Sequence, residues 1–160
     1  MSEADVEEVL PSEAAYCHVC DLRSNGPDDA VIHTDELWTV AVGFDVPGWF
    51  MVMLNRHSDD WFMGLSDEEA ASMGPLMRSL GEAAVADAGA ERVYLMGFGE
   101  QWSHFHFAVM SRTATVGKEL RGAGLLAHAS ELANHDEAIR IAAKVRRRLA
   151  EESKTPTFRR

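Results

Sequence analysis

The segment QWSHFHFAVMSR, residues 101–112, constrains the fold more than any other part of the chain. Side chains alternate between the two faces of a strand, so His104, His106 and Ala108 point to one side and the phenylalanines point to the other. The aromatic face is typical of a buried core. Because two buried imidazoles without partners cost several kcal/mol, we expect the histidine face to line a solvent-accessible cleft or to hold a ligand.

The apolar runs around this segment predict a sheet. Three short runs separated by turn residues predict consecutive antiparallel strands, and two more strands follow a helix. The predicted strands span residues 30–33, 37–42, 49–54, 92–98 and 104–111. Residues 21–29, rich in Asn, Gly, Pro and Asp, predict a loop before the first strand. The order of elements predicts an α+β fold, with a five-stranded, mostly antiparallel sheet and two main helices.

Helix signals are clearest in the middle of the chain. Ser66 and Glu69 form a capping box, and Gly89 is a suitable C-cap. Pro75 lies inside the helical pattern between them, which predicts a kink or a division into two helices. A last helix is predicted over roughly residues 130–152.

The two cysteines, Cys17 and Cys20, have the spacing C-x-x-C. A redox pair of this kind usually lies at a strand-to-helix junction in a βαβ unit, and no such unit is predicted here. A structural disulfide is unusual in a reducing cytosol. Zinc is the leading interpretation, although the motif supplies only half of a coordination shell.

From residue 17 to residue 112 the sequence resembles the histidine triad superfamily. The resemblance rests on GEQWSHFHFAVMSR, on the C-x-x-C, and on VIHTDELWTVAVGFDVPGWFMVMLNRHSDDWFMGLSDEE, where a lone histidine follows the third strand. In the galactose-1-phosphate uridylyltransferase branch and in many bacterial members, such a pattern implies a structural zinc site. The implied ligands are Cys17, Cys20, His57 and His104, against the alternative of two buried thiols and a surface histidine. His18 and His33 are not expected to be ligands.

The same resemblance implies that His106 is the catalytic nucleophile. In the family this histidine attacks the phosphorus next to a nucleoside and forms a nucleotidyl-histidine intermediate. A neutral imidazole is nucleophilic at about pH 7, and its far nitrogen needs an acceptor, usually a backbone carbonyl. The alternative is a cleft-side histidine without chemistry.

Ala108 departs from the family pattern, which has His or Gln at this position. The loss of a donor that stabilises developing charge costs about a hundredfold or more in rate. Gln101, Ser103 and Arg112 are candidate donors in its place. Asp45 is the candidate for binding ribose hydroxyls, with an ordinary turn aspartate as the alternative.

The expected function is therefore a nucleotide-acting hydrolase or nucleotidyltransferase with a structural zinc. The alternative is a nucleotide-binding or interaction domain that keeps the fold and zinc but has lost turnover at the third position. A purely structural zinc module is a further option.

Composition and net charge limit the expected cellular location and the expected binding partners of the protein. Twenty-six acidic and fifteen basic residues give a net charge of −11, which argues against binding to duplex nucleic acid. No apolar run reaches the roughly 20 residues of a membrane span, and the acidic start lacks a secretory signal, so a cytoplasmic location is expected. The expected partners are a nucleoside phosphate or dinucleoside polyphosphate ligand and, through the resemblance, a second copy in a homodimer.

The 160 residues predict one domain. Its expected bounds are 16–152, after a flexible acidic segment at 1–15 and before a basic tail at 153–160.

Overall fold

A five-stranded antiparallel sheet forms the centre of the protein, seen in a computed structural model that describes residues 16–154. The strands are β1 (Val31–Thr34), β2 (Trp38–Val42), β3 (Trp49–Leu54), β4 (Arg92–Met96) and β5 (His106–Arg112). Their spatial order is β1-β2-β3-β5-β4, so β3 is central and β5 lies beside it. The predicted α+β architecture is confirmed, with the fifth strand beginning at His106 instead of His104.

Helices pack against both faces of this sheet. They are α1 (His18–Asn25), α2 (Asp67–Ala88), α3 (Ala129–Leu132) and α4 (His135–Glu152). The long helices α2 and α4 cover one face, whereas the short helices α1 and α3 contact residues of the other face. Phe105 and Phe107 pack with buried residues of α2 and α4 in the main hydrophobic core. His106 and Ala108 point to the opposite face, with Met53 of β3 in register beside His106. The alternation predicted for residues 104–109 therefore separates the face that packs against α2 and α4 from the face that carries His106 and Ala108.

The capping signals of α2 are confirmed. The Ser66 side chain accepts a hydrogen bond from the Glu69 backbone N–H, and the Glu69 carboxylate accepts one from the Ser66 backbone N–H. Gly89 ends the helix at φ 69°. The predicted division at Pro75 is wrong, because α2 is one helix. The carbonyl that proline leaves without a partner belongs to Ala71, four residues earlier, and both residues are solvent-exposed. Water can therefore bind this carbonyl, and the helix continues.

The loop predicted for residues 21–29 is wrong in its first half, where α1 occupies the chain. Cys17 is the N-cap of α1, and its sulfur accepts from the Cys20 backbone N–H at 3.5 Å. The Asn25 side chain donates to Asp21 one turn earlier, at 2.7 Å. Local side-chain bonds of this kind stabilise a helix that composition alone does not predict.

The last predicted helix is divided in two. The helix predicted over 130–152 corresponds to the short α3 and to α4, separated by Ala133 and Asn134. Asn134 has extended backbone angles, and its side chain accepts from the Glu137 backbone N–H at 3.1 Å. The sequence NHDE therefore starts a new helix with an asparagine cap.

Gly48, in the turn before β3, is expected to be intolerant of substitution. Its φ is 75°, and an added Cβ would lie 2.5 Å from the Ala88 Cβ and 2.7 Å from the Ser111 Oγ. We expect Gly48→Ala to lower the free energy of unfolding by at least about 2 kcal/mol, measured by urea denaturation. The control is Gly74→Ala in α2, where an added Cβ meets nothing within 4 Å and a gain of about 0.5–1 kcal/mol is expected. Equal stability of the two variants would contradict this account.

Between residues 16 and 154, no helix has the length and apolar character needed to cross a membrane. The predicted N-terminal segment at 1–15 and most of the basic tail, residues 155–160, lie outside the described residues. The domain bounds therefore stay a prediction.

Candidate functional site

Four side chains from three separate segments meet next to the sheet. Cys17 and Cys20 come from the start of α1, His57 from the loop after β3, and His104 from the segment that leads into β5. Their ligand atoms all lie within 4.8 Å of one another. The Nδ1 atom of His104 is 3.4 Å from the Cys17 sulfur and 3.2 Å from the Cys20 sulfur. These are the four residues that the sequence resemblance implies as zinc ligands.

The geometry of this cluster fits a tetrahedral zinc ion. At ordinary zinc–sulfur and zinc–nitrogen bond lengths, a sulfur and a nitrogen on one tetrahedral ion are about 3.6 Å apart. The distances from the Cys20 sulfur to Nδ1 of His57 and of His104 are 3.4 and 3.2 Å. Two thiolates and two imidazoles form a closed set of four ligands, which is typical of a structural site.

Hydrogen bonds orient both histidines toward the cluster. Nε2 of His104 lies 2.7 Å from the Leu54 carbonyl oxygen, which is an acceptor only, so this nitrogen donates and Nδ1 presents its lone pair. Nε2 of His57 lies 3.2 Å from the carboxylate of Asp59, and that carboxylate also accepts from Ser103 Oγ at 2.6 Å. Carboxylate and carbonyl partners of this kind are usual behind metal-binding histidines.

Burial shifts the pKa of two residues of the cluster, His104 and Cys20. His104 is 1% exposed, and its desolvation lowers the pKa of the imidazole, which favours the neutral form that binds metal. Desolvation raises the pKa of the Cys20 thiol, and the Cys17 side chain adds to the increase. Because the thiolate is the ligand, metal binding displaces a proton and becomes tighter as the pH rises.

His106 lies beside the cluster, on the same face of the sheet. Its Nδ1 is 2.7 Å from the backbone carbonyl oxygen of His104, so Nδ1 donates and Nε2 carries the lone pair. Two indoles flank the ring, with centroids 5.4 Å away for Trp61 and 5.7 Å away for Trp102. The imidazole is therefore held by a main-chain acceptor and two aromatic walls.

A cleft of about 340 Å³ opens beside His106. We call it the apolar cleft. Its apolar walls are Phe44, Met51, Met96, Ala108 and Leu126, and the loop 97–102 lines the rest. His106 and Glu100 are the ionisable side chains that line it within residues 16–154.

The predicted substrate-binding residues are dispersed. Gln101 lines the apolar cleft with His106. Asp45 lies next to the cleft residue Phe44, but its carboxylate accepts from His135 at 2.9 Å. Ser103 donates to Asp59, and Arg112, at the far end of β5, pairs with Glu91. Contact of these four residues with a substrate stays a prediction.

Sequence reasoning missed the aromatic residues around His106. Trp61 has φ 52°, unusual for a non-glycine residue, and its indole covers Gly99, where an added Cβ would lie 2.8 Å from the ring. Trp102 stacks on His18, with ring centroids 4.4 Å apart. For Trp102 the sequence carried a signal, which is its position two residues before His104. Trp61 carries no local signal, since its role depends on contacts distant in sequence.

The pair of His135 and Asp45 gives a testable pH dependence. The hydrogen bond to Asp45 raises the pKa of His135 above its usual 6.5, so the folded protein favours the protonated ring. The stabilisation is complete below the unfolded-state pKa and is lost as the pH rises through the higher folded-state pKa. We expect proton NMR titration to give a pKa above 6.5 for His135 and Asp45→Asn to return it toward that value. An unchanged pKa in the variant would contradict the pairing.

No family model matches the sequence, and no curated protein does so either. Solved structures with the same fold include a zinc-bound histidine triad family protein from Mycobacterium smegmatis. It has 18% identity and a TM-score of 0.62, over 86% of this chain and 96% of that one.

Two enzymes are also similar in structure. Diadenosine triphosphate hydrolase from Plasmodium falciparum has 12% identity and a TM-score of 0.58, over 79% of this chain and 80% of that one. A mutant uridylyltransferase has 22% identity and a TM-score of 0.59, over 84% of this chain and 47% of that one. At sequence identities this low, the structural similarity establishes a shared fold and no more. The five-stranded sheet with its helices is therefore the histidine triad fold.

Proposed function

We propose that this protein is a nucleotide-acting hydrolase or nucleotidyltransferase that works through a nucleotidyl-His106 intermediate. One observation carries the proposal: the Nδ1 of His106 faces a backbone carbonyl at 2.7 Å while the ring lines the apolar cleft. A neutral imidazole fixed in this tautomer has a nucleophilic lone pair on Nε2.

Structural neighbours support this class of reaction. They include a diadenosine triphosphate hydrolase and a uridylyltransferase, two enzymes named for nucleotide substrates or products. These neighbours share a fold with this chain. The reaction itself is inferred from the residues around His106.

His106 performs the chemistry in this proposal. Nε2 attacks the phosphorus attached to the nucleoside, the bond to the leaving group breaks, and water or a second acceptor then releases the nucleotidyl group. Gln101 is the candidate donor to the phosphoryl oxygens in the cleft. Asp45 is proposed to bind the ribose, in exchange for its bond to His135.

Zinc is proposed as a structural ion at Cys17, Cys20, His57 and His104, which is consistent with the zinc-bound neighbour. When bound, it links the start of α1 to β3 and β5. His104 then has two roles: its side chain is a ligand, and its carbonyl orients His106. The site thus fixes the segment that presents the nucleophile.

A second candidate function is nucleotide binding without turnover. Ala108 favours it, because alanine offers no donor where the family pattern has one. Loss of one such donor costs about a hundredfold or more in rate, which slows turnover without removing the cleft.

The deciding experiment is trapping of the intermediate. We expect that incubation with adenosine phosphoramidate or diadenosine triphosphate, followed by an alkaline quench, adds one adenylyl group to the peptide that contains His106. The alkaline quench preserves the acid-labile nitrogen–phosphorus bond. Turnover with the adduct on another residue would overturn the mechanism. Binding without adduct or turnover would support the second candidate.

Dimerisation and location stay predictions. β1 and β4 are the edge strands of the sheet, and pairing of two copies along an edge is the expected mode of a homodimer. Sedimentation velocity measures this directly, and a monomer throughout the micromolar range would contradict it. The cytoplasmic location likewise stays an expectation from the sequence.

A further inference from the structure

A tryptophan with an unusual backbone conformation contacts His106. Trp61 begins a short 3₁₀ helix, Trp61–Gly64, in the connection between β3 and α2, and its φ is 52°. Bulky residues rarely adopt this left-handed region, and a strained residue of this kind persists only where its surroundings compensate for the strain. The contacts of the Trp61 indole are therefore the place to look for a role.

The indole contacts two consecutive residues that point to opposite faces of the sheet. Its ring centroid lies 5.1 Å from that of Phe105, which belongs to the main hydrophobic core, and 5.4 Å from that of His106. Both pairs are edge-to-face, with interplanar angles of 68° and 81°, an arrangement that aromatic rings favour. The indole therefore links the packed core to the imidazole of His106.

Two glycines make room for this indole. An added Cβ would lie 3.2 Å from Cζ2 of Trp61 at position 97, and 2.8 Å from Cδ2 of Trp61 at position 99. Gly97 and Gly99 both belong to the loop 97–102 that lines the apolar cleft. Glycine permits such a close approach of the backbone to a ring. The same indole thus contacts both the cleft loop and His106.

Trp61 acts from behind the cleft. Of the two indoles beside His106, Trp102 lines the apolar cleft and Trp61 does not, so Trp61 is not placed to touch a substrate. The carbonyl of His104 holds one atom of the His106 ring, Nδ1, and packing against the indole restricts the tilt of the remaining atoms. Displacement of a reacting group by about 1 Å can reduce a rate by about a hundredfold.

We propose that Trp61 is a positioning residue, whose indole holds the imidazole of His106 and the loop 97–102 in a fixed relation to each other. This inference rests on the proposed function, because it gives the indole the task of directing Nε2 into the cleft. The contacts with His106, Phe105 and the two glycines compensate for the backbone strain at Trp61. Glycine is required at position 99 because a side chain there would displace the ring.

Nitrogen NMR of the histidine rings tests the inference without any turnover. In a neutral imidazole with one fixed tautomer, the protonated Nδ1 and the unprotonated Nε2 have well-separated chemical shifts. We expect this separation for His106, whose signals are assigned by their loss in His106→Asn. Trp61→Ala is expected to bring the two shifts closer together, because the ring then exchanges between orientations and tautomers. Trp61→Phe keeps an aromatic ring and is expected to preserve most of the separation. Unchanged shifts in Trp61→Ala would overturn the inference.

Gly99→Ala displaces the indole while every residue of the core is kept. Its matched control is Gly122→Ala, because both glycines have positive φ, 67° and 81°, but an added Cβ at position 122 meets nothing within 4 Å. Both variants carry the strain of alanine at positive φ, so a difference between them reports the displaced ring. We expect Gly99→Ala to bring the two His106 shifts closer together and Gly122→Ala to leave them unchanged. Equal shifts in this pair would overturn the inference, and the pair decides it if Trp61→Ala does not fold.

Kinetics with adenosine phosphoramidate separate positioning from binding. Because Trp61 does not line the cleft, we expect Trp61→Ala to lower kcat by at least about tenfold while KM changes by less than about threefold. Trp61→Phe is expected to recover most of kcat. An unchanged kcat, or a loss confined to KM, would overturn the inference and leave the His106 mechanism intact. Absence of turnover in the unmodified protein would overturn the proposed function, and the nitrogen shifts would still decide whether Trp61 positions the ring.

Discussion

His57→Asn is expected to destabilise the protein strongly, because His57 is one of the four candidate zinc ligands. In the proposed zinc site, removal of one of the four ligands leaves three, and a zinc ion would then hold α1, β3 and β5 together less tightly. Structural zinc contributes about 10–16 kcal/mol in small zinc modules, whereas a whole domain is stable by about 5–15 kcal/mol. Loss of a substantial part of that contribution is enough to unfold a domain of ordinary stability.

The measurement combines metal content with unfolding. We expect the unmodified protein to contain one zinc per chain, and both His57→Asn and a strong chelator to lower the thermal midpoint sharply. His128→Asn is the matched control, because His128 is a partly exposed histidine that contacts Glu131, outside the cluster. If His57→Asn and His128→Asn unfold at the same temperature as the metal-loaded protein, the cluster is not a structural zinc site.

His106→Asn is expected to produce the largest loss of activity. Without the imidazole no nitrogen–phosphorus bond forms, and we expect kcat/KM to fall by at least about 10³-fold. His106 is only partly buried and is not one of the four residues of the metal cluster, so zinc content and the thermal midpoint are expected to stay near those of the unmodified protein. A loss of activity with unchanged stability separates a chemical role from a structural one.

The control for this variant is His33→Asn. His33 contacts Asp35 at 3.0 Å and belongs to neither the metal cluster nor the apolar cleft. We expect it to keep most of the activity. If His106→Asn retains a tenth or more of the activity on every nucleotide tested, the nucleophile is another group.

The sheet and the long helix were predictable because their signals are local. Alternating and continuous apolar runs placed five strands within a few residues of their observed bounds, and the capping box at Ser66 fixed the start of α2. The prediction of helix bounds failed where side-chain hydrogen bonds start a helix in a segment whose composition indicates otherwise. The turn-like residues after Cys20 form part of α1, and the asparagine at 134 divides the last helix.

The candidate site was predictable only in part, because its contacts link distant segments. Alternation along β5 separated His106 from the core, and the family resemblance supplied His57 and His104 as partners of the cysteines. The bond between Asp45 and His135 joins positions 90 apart in the sequence, and no periodicity predicts it. The same holds for Trp61, whose contacts with Gly99 and His106 depend on a backbone with positive φ.

The acceptor that orients His106 is the backbone carbonyl of His104, and not a side chain. Catalytic histidines that depend on a carboxylate can lose their orientation through one substitution at the carboxylate. A carbonyl is common to every amino acid, so no point mutation deletes it while the strand keeps its path. Substitutions can remove the proposed metal ligands or change the side chains that line the cleft, yet the acceptor that orients the His106 ring belongs to the backbone and persists.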